Sequence, residues 1–232
     1  MTAILITGTS NGLGLGLTRH YLQQGAKIFS VSRSPCPIQH DDLQHRTLDL
    51  SQLDSISASL QGFLPATLDL AILNAGVLGE IRDLSQTSMQ DINTVMDINV
   101  WANKVIIDSL ITQPIKVKQL ILISSGASVN GNRGWGAYSI SKASINMLAK
   151  LYAQEMPDTH ITAYAPGLVH TAMQDYLCQQ VDTEKFPSIK RLQSAYHTDD
   201  MPDIDSAAAK IAASFPRCLE FASGSFVDIR QL

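Results

Sequence analysis

An α/β fold, a doubly wound parallel sheet carried by one domain over residues 1–232, is predicted by three observations. Short, almost continuously apolar runs recur at Ala3–Thr7, Leu68–Leu73 and Gln119–Ser124, the pattern of strands covered on both faces of a parallel sheet. Stretches with apolar residues at helical spacing separate them. The first run leads directly into a glycine-rich turn and a helix, the opening of a strand–helix–strand unit. With 232 residues, 45% of them hydrophobic, the chain can bury a sizeable core, and one domain is routine for an α/β protein of this size.

Ala3–Thr7 is the first strand, followed by Thr7-Gly-Thr-Ser-Asn-Gly-Leu-Gly14. Its glycines form G-x-x-x-G-x-G rather than the commoner G-x-G-x-x-G. Either spacing lets the backbone turn tightly and approach a pyrophosphate seated at the positive N-terminus of the next helix. Gly8, Ser10, Asn11, Gly12, Leu13 and Gly14 are therefore candidate cofactor contacts. Leu13–Gly25 supplies the helix through Leu13, Leu17, Tyr21 and Leu22, with Gly25 as its C-cap. Lys27–Ser32 is the second strand. A carboxylate at its end would hold the free 2′-hydroxyl of NAD. This chain has Ser32-Arg33 instead, a small hydroxyl and a guanidinium that leave room for the 2′-phosphate of NADP and can grip it. NADP(H) is the expected cofactor.

The third strand is expected in Arg46-Thr-Leu-Asp-Leu50, ending in Asp49, which is placed either to accept from an adenine amino group or as an exposed turn carboxylate, with Leu50 beside it as a further candidate cofactor contact. Ser51 is the expected N-cap of a helix reaching about Gly62. Leu68–Leu73 ends in Asn74, Ala75 and Gly76, small residues that admit a ligand closely. Met89–Leu110 reads as one long helix on Ile92, Val95, Met96, Val100, Val105, Ile106 and Leu110. Asn99 within it is unfavourable unless its side chain is engaged. Gln119–Ser124 is the fifth strand and delivers Ser125. After a helix at Ala137–Met156, Thr159–Ala165 is the sixth strand, closed by Pro166-Gly-Leu-Val-His-Thr171. Gln174–Pro202 is polar and expected to form an irregular flap over a cleft. Asp205–Phe215 is the last helix and Gly224–Ile229 the seventh strand.

The helix at Ala137–Met156 places Tyr138 and Lys142 four residues apart on one face. A free phenol keeps its proton to about pH 10, but a cation beside it, in a setting that favours the charged pair, lowers that value. Such a tyrosine can protonate a carbonyl oxygen or take a proton from an alcohol. The plainer reading of Y-x-x-x-K is a core tyrosine and a solvated lysine. Ser125 can hydrogen-bond the substrate oxygen and hold charge as it develops. It lacks the G-x-S-x-G setting of a nucleophile, and no histidine is placed by motif as its base.

A net charge of −4 argues against nucleic acid as a partner. Cys36, Cys178 and Cys218 are widely spaced without a C-x-x-C, so neither a disulfide framework nor a metal site is indicated, and a reducing cytoplasm is expected. Met1–Thr7 has no charged n-region, and no apolar run approaches the ~20 residues of a membrane span.

Thr7-Gly-x3-Gly-x-Gly14, Asp49, Asn74-Ala-Gly76, Asn99, Ser125, Tyr138-x3-Lys142 and Pro166-Gly-x-Val-x-Thr171 occur in order. Together they resemble the short-chain dehydrogenase/reductase family. Gly134-Trp-Gly-Ala-Tyr138, Tyr164-Ala-Pro-Gly167, Thr171-Ala-Met-Gln174 and Ser223-Gly-Ser-Phe-Val-Asp228 look like its sepiapterin reductase and bacterial benzil reductase branch. The resemblance implies a Rossmann fold with strand order 3-2-1-4-5-6-7. It also implies reduction of a small carbonyl compound by hydride from NADPH. Tyr138 would be the acid, Ser125 would orient the carbonyl, and Lys142 would hold the nicotinamide ribose and lower the tyrosine pKa. Asn99 would hold a relay water. Pro166, Gly167, Val169 and Thr171 would close over the nicotinamide, with Trp135, Leu168, Met173, Tyr176 and Phe186 around an apolar substrate. Asp228 would anchor a pterin-like amino group or merely end its strand. His170 and Asn11 depart from the acidic and basic residues of sepiapterin reductases, leaving Arg33 as the handle on the 2′-phosphate. The family commonly pairs through the helices at Met89–Leu110 and Ala137–Met156, so a homodimer is expected, with a tetramer open. An idle NADP-binding regulator and a nucleotide-sugar epimerase or dehydratase are the competing classes.

Overall fold

All seven strands lie parallel in one sheet ordered β3-β2-β1-β4-β5-β6-β7, in a computed structural model that describes residues 1–232. They are β1 (Ala3–Thr7), β2 (Lys27–Ser32), β3 (Leu43–Thr47), β4 (Thr67–Leu73), β5 (Lys116–Ile123), β6 (His160–Ala165) and β7 (Ser225–Asp228). The helices are α1 (Gly12–Gln23), α2 (Leu53–Leu60), α3 (Met89–Met96), α4 (Ala102–Thr112), α5 (Gly136–Glu155), α6 (Ala172–Gln180), α7 (Ile189–Ala195) and α8 (Ile204–Cys218). The fold and strand order are those the sequence predicts.

Successive side chains of a strand face opposite ways, which divides the core in two. Ile4 and Ile6 join Ile28, Ile72 and Ile121 beneath α1 and α8, whereas Leu5 joins Phe29, Val31, Leu73 and Leu122 beneath α2, α4 and α5. Each such side chain contributes about 1.5–3 kcal/mol on burial. The winding reverses between β1 and β4, and a cleft opens there at the carboxyl ends of the strands, as sheets of this kind allow. No helix is long and apolar enough to cross a membrane.

Five expectations are corrected. β3 begins three residues before the expected Arg46 and ends two before Asp49, because pairing with β2 from Ile28↔Leu43 to Ser32↔Thr47 sets its limits, not apolar content. Asp49 therefore sits in a turn. Ser51 is not an N-cap: its hydroxyl donates to Asp49 Oδ1 at 2.8 Å, and α2 starts at Leu53 behind Gln52. The single helix expected over Met89–Leu110 is broken by a π turn at Asp97–Trp101, between α3 and α4. A π turn carries an extra residue, and Asn99 and Val100 are both buried within it. The expected irregular flap is largely helical. α6 buries Leu177 and Cys178, and α7 buries Ile189 and Ala195, few enough apolar positions to be masked by polar neighbours. β7 is shorter than expected because Asp228 caps a turn over Ile229–Gln231.

Candidate active site

The end of β1 and the end of β4 are stitched together. Thr7 Oγ1 accepts from the backbone N–H of Asn74 and of Ala75, each at 3.0 Å, and Asn74 Nδ2 donates to the carbonyls of Thr7 at 2.9 Å and Gly8 at 3.3 Å. Gly8 adopts φ +74°, a conformation side chains disfavour. A Cβ on Gly14 would lie 2.2 Å from the Gly8 carbonyl oxygen, so Gly14 lets the loop close over the start of α1. It does not itself line the cleft, whereas Gly8, Ser10, Asn11, Gly12 and Leu13 do. The cleft holds about 970 Å³ and is also lined by Ser32, Arg33, Asp49, Leu50, Asn74, Ala75 and Gly76.

At the β2 end, Ser32 Oγ lies 3.2 Å from Thr9 Oγ1 and donates to the Ser34 carbonyl at 2.8 Å. Its hydroxyl thus shapes the turn, and exposed Arg33 is left at the rim. The Asp49 carboxyl is held below its ordinary value by hydrogen bonds from the Ser51 backbone and hydroxyl, and beyond these by the Arg33 charge.

Deeper in the cleft, Tyr138, Lys142 and Ser125 converge. Lys142 is 4% exposed, and its Nζ donates to the Ile123 carbonyl at 2.7 Å. Burial pulls its pKa down to about 8. Its ammonium is 5.6 Å from the Tyr138 ring centroid. The tyrosine pKa is raised, not lowered: enclosure pushes it up, and the Ser125 hydroxyl, not the lysine, opposes that rise. The lysine ammonium donates instead to the Ile123 carbonyl. Ser125 Oγ also accepts from the Ala127 N–H at 3.1 Å, fixing its rotamer beside β5.

Asn99 lies behind the cleft wall, fully buried. Its Oδ1 accepts from the Val77 N–H at 2.8 Å, while Nδ2 donates to the Val77 carbonyl at 2.9 Å and to Ser141 Oγ at 3.0 Å. A Cβ placed on Gly76 would be 3.2 Å from Asn99 Oδ1 and 3.5 Å from Lys142 Nζ, so the three share one corner. Pro166, Gly167, Val169 and Thr171 close the cleft above them.

Of the expected substrate residues, Trp135, Leu168, Met173 and Asp228 line the cleft, but Tyr176 and Phe186 do not. Phe186 packs beneath Gly134, where an added Cβ would meet its ring at 2.6 Å. The Asp228 carboxylate is not free, since Arg230 donates to it through Nε (2.8 Å to Oδ1) and Nη2, and this pairing holds its pKa low. Among the wall residues to which the sequence reading gave no role are Gln174, Arg191 and Arg230. Only the Thr171-Ala-Met-Gln string hinted at the first.

These residues fit a nicotinamide dinucleotide. Backbone N–H groups at the start of α1 suit a pyrophosphate, Arg33 supplies a cation at the ribose end, and Gln174 Oε1 is buried without a partner, an acceptor suited to an amide donor.

Residues 2–182 match the family model described as short chain dehydrogenase. An uncharacterised oxidoreductase of Schizosaccharomyces pombe is 37% identical over 181 residues, 74% of this chain and 72% of that protein. Benzil reductase ((S)-benzoin forming) of Bacillus subtilis is 25% identical over 100% of this chain and 99% of its own length. The crystal structure of the YIR035C short-chain dehydrogenase/reductase of Saccharomyces cerevisiae superposes with a TM-score of 0.83 at 22% identity, covering 99% of this chain and 96% of that one.

Proposed function

The chain belongs to the short-chain dehydrogenase family, and from that premise we propose that this oxidoreductase is an NADPH-dependent carbonyl reductase, converting a ketone, aldehyde or diketone to an alcohol. The observation that carries the reading is the meeting of Tyr138, Ser125 and buried Lys142 at the deep end of the cleft. The hydride for the carbonyl carbon would come from a dihydronicotinamide held by these residues. Ser125 donates to the carbonyl oxygen and orients it. Tyr138, whose raised pKa keeps it protonated near neutrality, gives that oxygen its proton as charge develops. Lys142 holds the ribose, and Asn99 keeps the corner around Gly76 in register. Preference for NADPH is supported by Arg33, which has no acidic residue in ion-pair contact at the rim where the 2′-phosphate would lie. Diketones are favoured by the likeness to proteins named benzil reductase. Trp101, Ile140, Met147 and Leu151 are exposed along the π turn and α5, an apolar surface suited to a homodimer.

The test is NADPH oxidation with benzil, sepiapterin and simple aldehydes, with Y138F as control. Turnover falling by about 10²–10⁴-fold in Y138F is expected. Activity near wild type in Y138F would overturn the role of the tyrosine. Tight NADPH binding without turnover of any carbonyl would favour the idle binding protein.

A further inference from the structure

The substrate end of the cleft carries charged side chains among its apolar ones. Arg230 emerges from the turn after β7, and its Nη2 lies 3.4 Å from where a Cβ on Gly126 would sit, one residue from Ser125. Buried Asp228 grips this guanidinium from behind through two oxygens, which fixes its pose. Arg191, from α7, lines the same wall, and its field reaches Asp228. Its neighbour Lys190 is paired with Glu184 at 2.7 Å, whereas Arg191 has no carboxylate in contact. Exposed Asp199 and Asp200 and Lys210 also line the cleft, and none of them bonds to Arg191. Asp228 thus directly pairs one of two guanidiniums, and the second is left for a ligand.

We propose that the substrate is a short oxo acid whose carboxylate is held by Arg191, while its carbonyl lies between Ser125 and Tyr138. The inference rests on the carbonyl-reductase reading and narrows it. Hydride goes to the carbonyl carbon and the Tyr138 proton to its oxygen, and the carboxylate leaves unchanged. Trp135, Met173 and Leu177 line the rest of that end and would enclose an apolar side group. A guanidinium–carboxylate bond is charge-assisted and directional, so it discriminates an acid from its ester.

Phenylglyoxylate and methyl phenylglyoxylate differ in that charge and are suitable probes. The kcat/KM of the acid should exceed that of the ester about tenfold in the wild type. This ratio should fall about tenfold in R191M and be largely kept in R191K. Arg191 is the position to vary, because removing Arg230 strands a buried carboxylate. Independently of turnover, benzoate should bind the wild type, with and without NADP+, about tenfold more tightly than it binds R191M or R191E. An acid-to-ester ratio at or below one, or a ratio and benzoate affinity unmoved in R191M, overturns the proposal. Reduction of the ester alone would leave the carbonyl-reductase reading standing without the anion site. Arg191-dependent benzoate binding with neither ketone reduced would support the anion site and count against the reductase.

Discussion

Replacing Lys142 by Met should make the ligand-free protein more stable at pH 7 while abolishing turnover. The lysine is 4% exposed, and burial lowers its pKa from 10.5 to about 8. At about 1.36 kcal/mol for each tenfold change in ionisation, that depression is a burial cost of ~3 kcal/mol. Below pH 8 the amine is charged in both the folded and unfolded chains, so the cost is present in full. Between pH 8 and 10.5 the unfolded chain holds more protons, so raising the pH favours the folded state and the cost fades. Methionine fills similar space without charge, but it leaves the Ile123 carbonyl without its donor, a loss of about 1 kcal/mol. The net gain for K142M at pH 7 is ~2 kcal/mol, or ~4–8 °C in Tm for a chain of this size. By pH 10 the advantage should have vanished. Thermal midpoints of both proteins at pH 7, 8.5 and 10, without nucleotide, give the comparison. A variant less stable than wild type at pH 7, or a difference that does not shrink with pH, would refute the reasoning. The expected outcome is a site that sacrifices stability for chemistry.

Asn99→Leu should lower unfolding free energy by about 3 kcal/mol, since three hydrogen bonds to Val77 and Ser141 are lost at about 1 kcal/mol each. A urea midpoint within error of wild type would show that those bonds contribute nothing. Arg33→Ala should reduce kcat/KM for NADPH by roughly 10- to 100-fold, the loss of a charge-assisted bond, with little effect on NADH. Equal losses with both nucleotides would remove Arg33 from the 2′-phosphate. Gly14→Ala drives a methyl group against the Gly8 carbonyl oxygen, and should cost ~1–3 kcal/mol of stability and weaken NADPH binding in calorimetry. Unchanged affinity would mean that the loop yields freely.

Apolar runs locate strands well when both faces are covered: Ala3–Thr7 and Lys27–Ser32 are observed as predicted, and Leu68–Leu73 gains one residue at its start. The strand expected at Gln119–Ser124 instead runs from Lys116 to Ile123, because its first residues are set by pairing with β4 rather than by apolar content. Where pairing rather than burial defines a strand, as in β3 with its polar Leu43-Gln-His-Arg-Thr47, the reading slips. Tyr138 and Lys142 were legible because helical spacing is local. The partner of the lysine was not, because the Ile123 carbonyl comes from a strand nineteen residues upstream, and that contact decides which way the ammonium points. Likewise Asp228 could be placed at the end of β7, but its capture by Arg230 depends on a turn of the backbone that no periodicity announces. Arg191 stayed hidden because α7 buries only Ile189 and Ala195.

The π turn at Asp97–Trp101 bears on how this chain can change in length. Deleting one residue there would let an unbroken α-helix run through with both flanks still facing the same way, because the widened turn is what absorbs the extra residue. Asn99 would lose the widened backbone that sets it against Val77, while Ile106, Ile107 and Leu110 would keep the core they share with β5. A deletion in this segment should therefore spare the core and disturb the site. In a library of single-codon deletions, Asp97–Trp101 should emerge as a block where a gap is read as lost activity rather than lost folding.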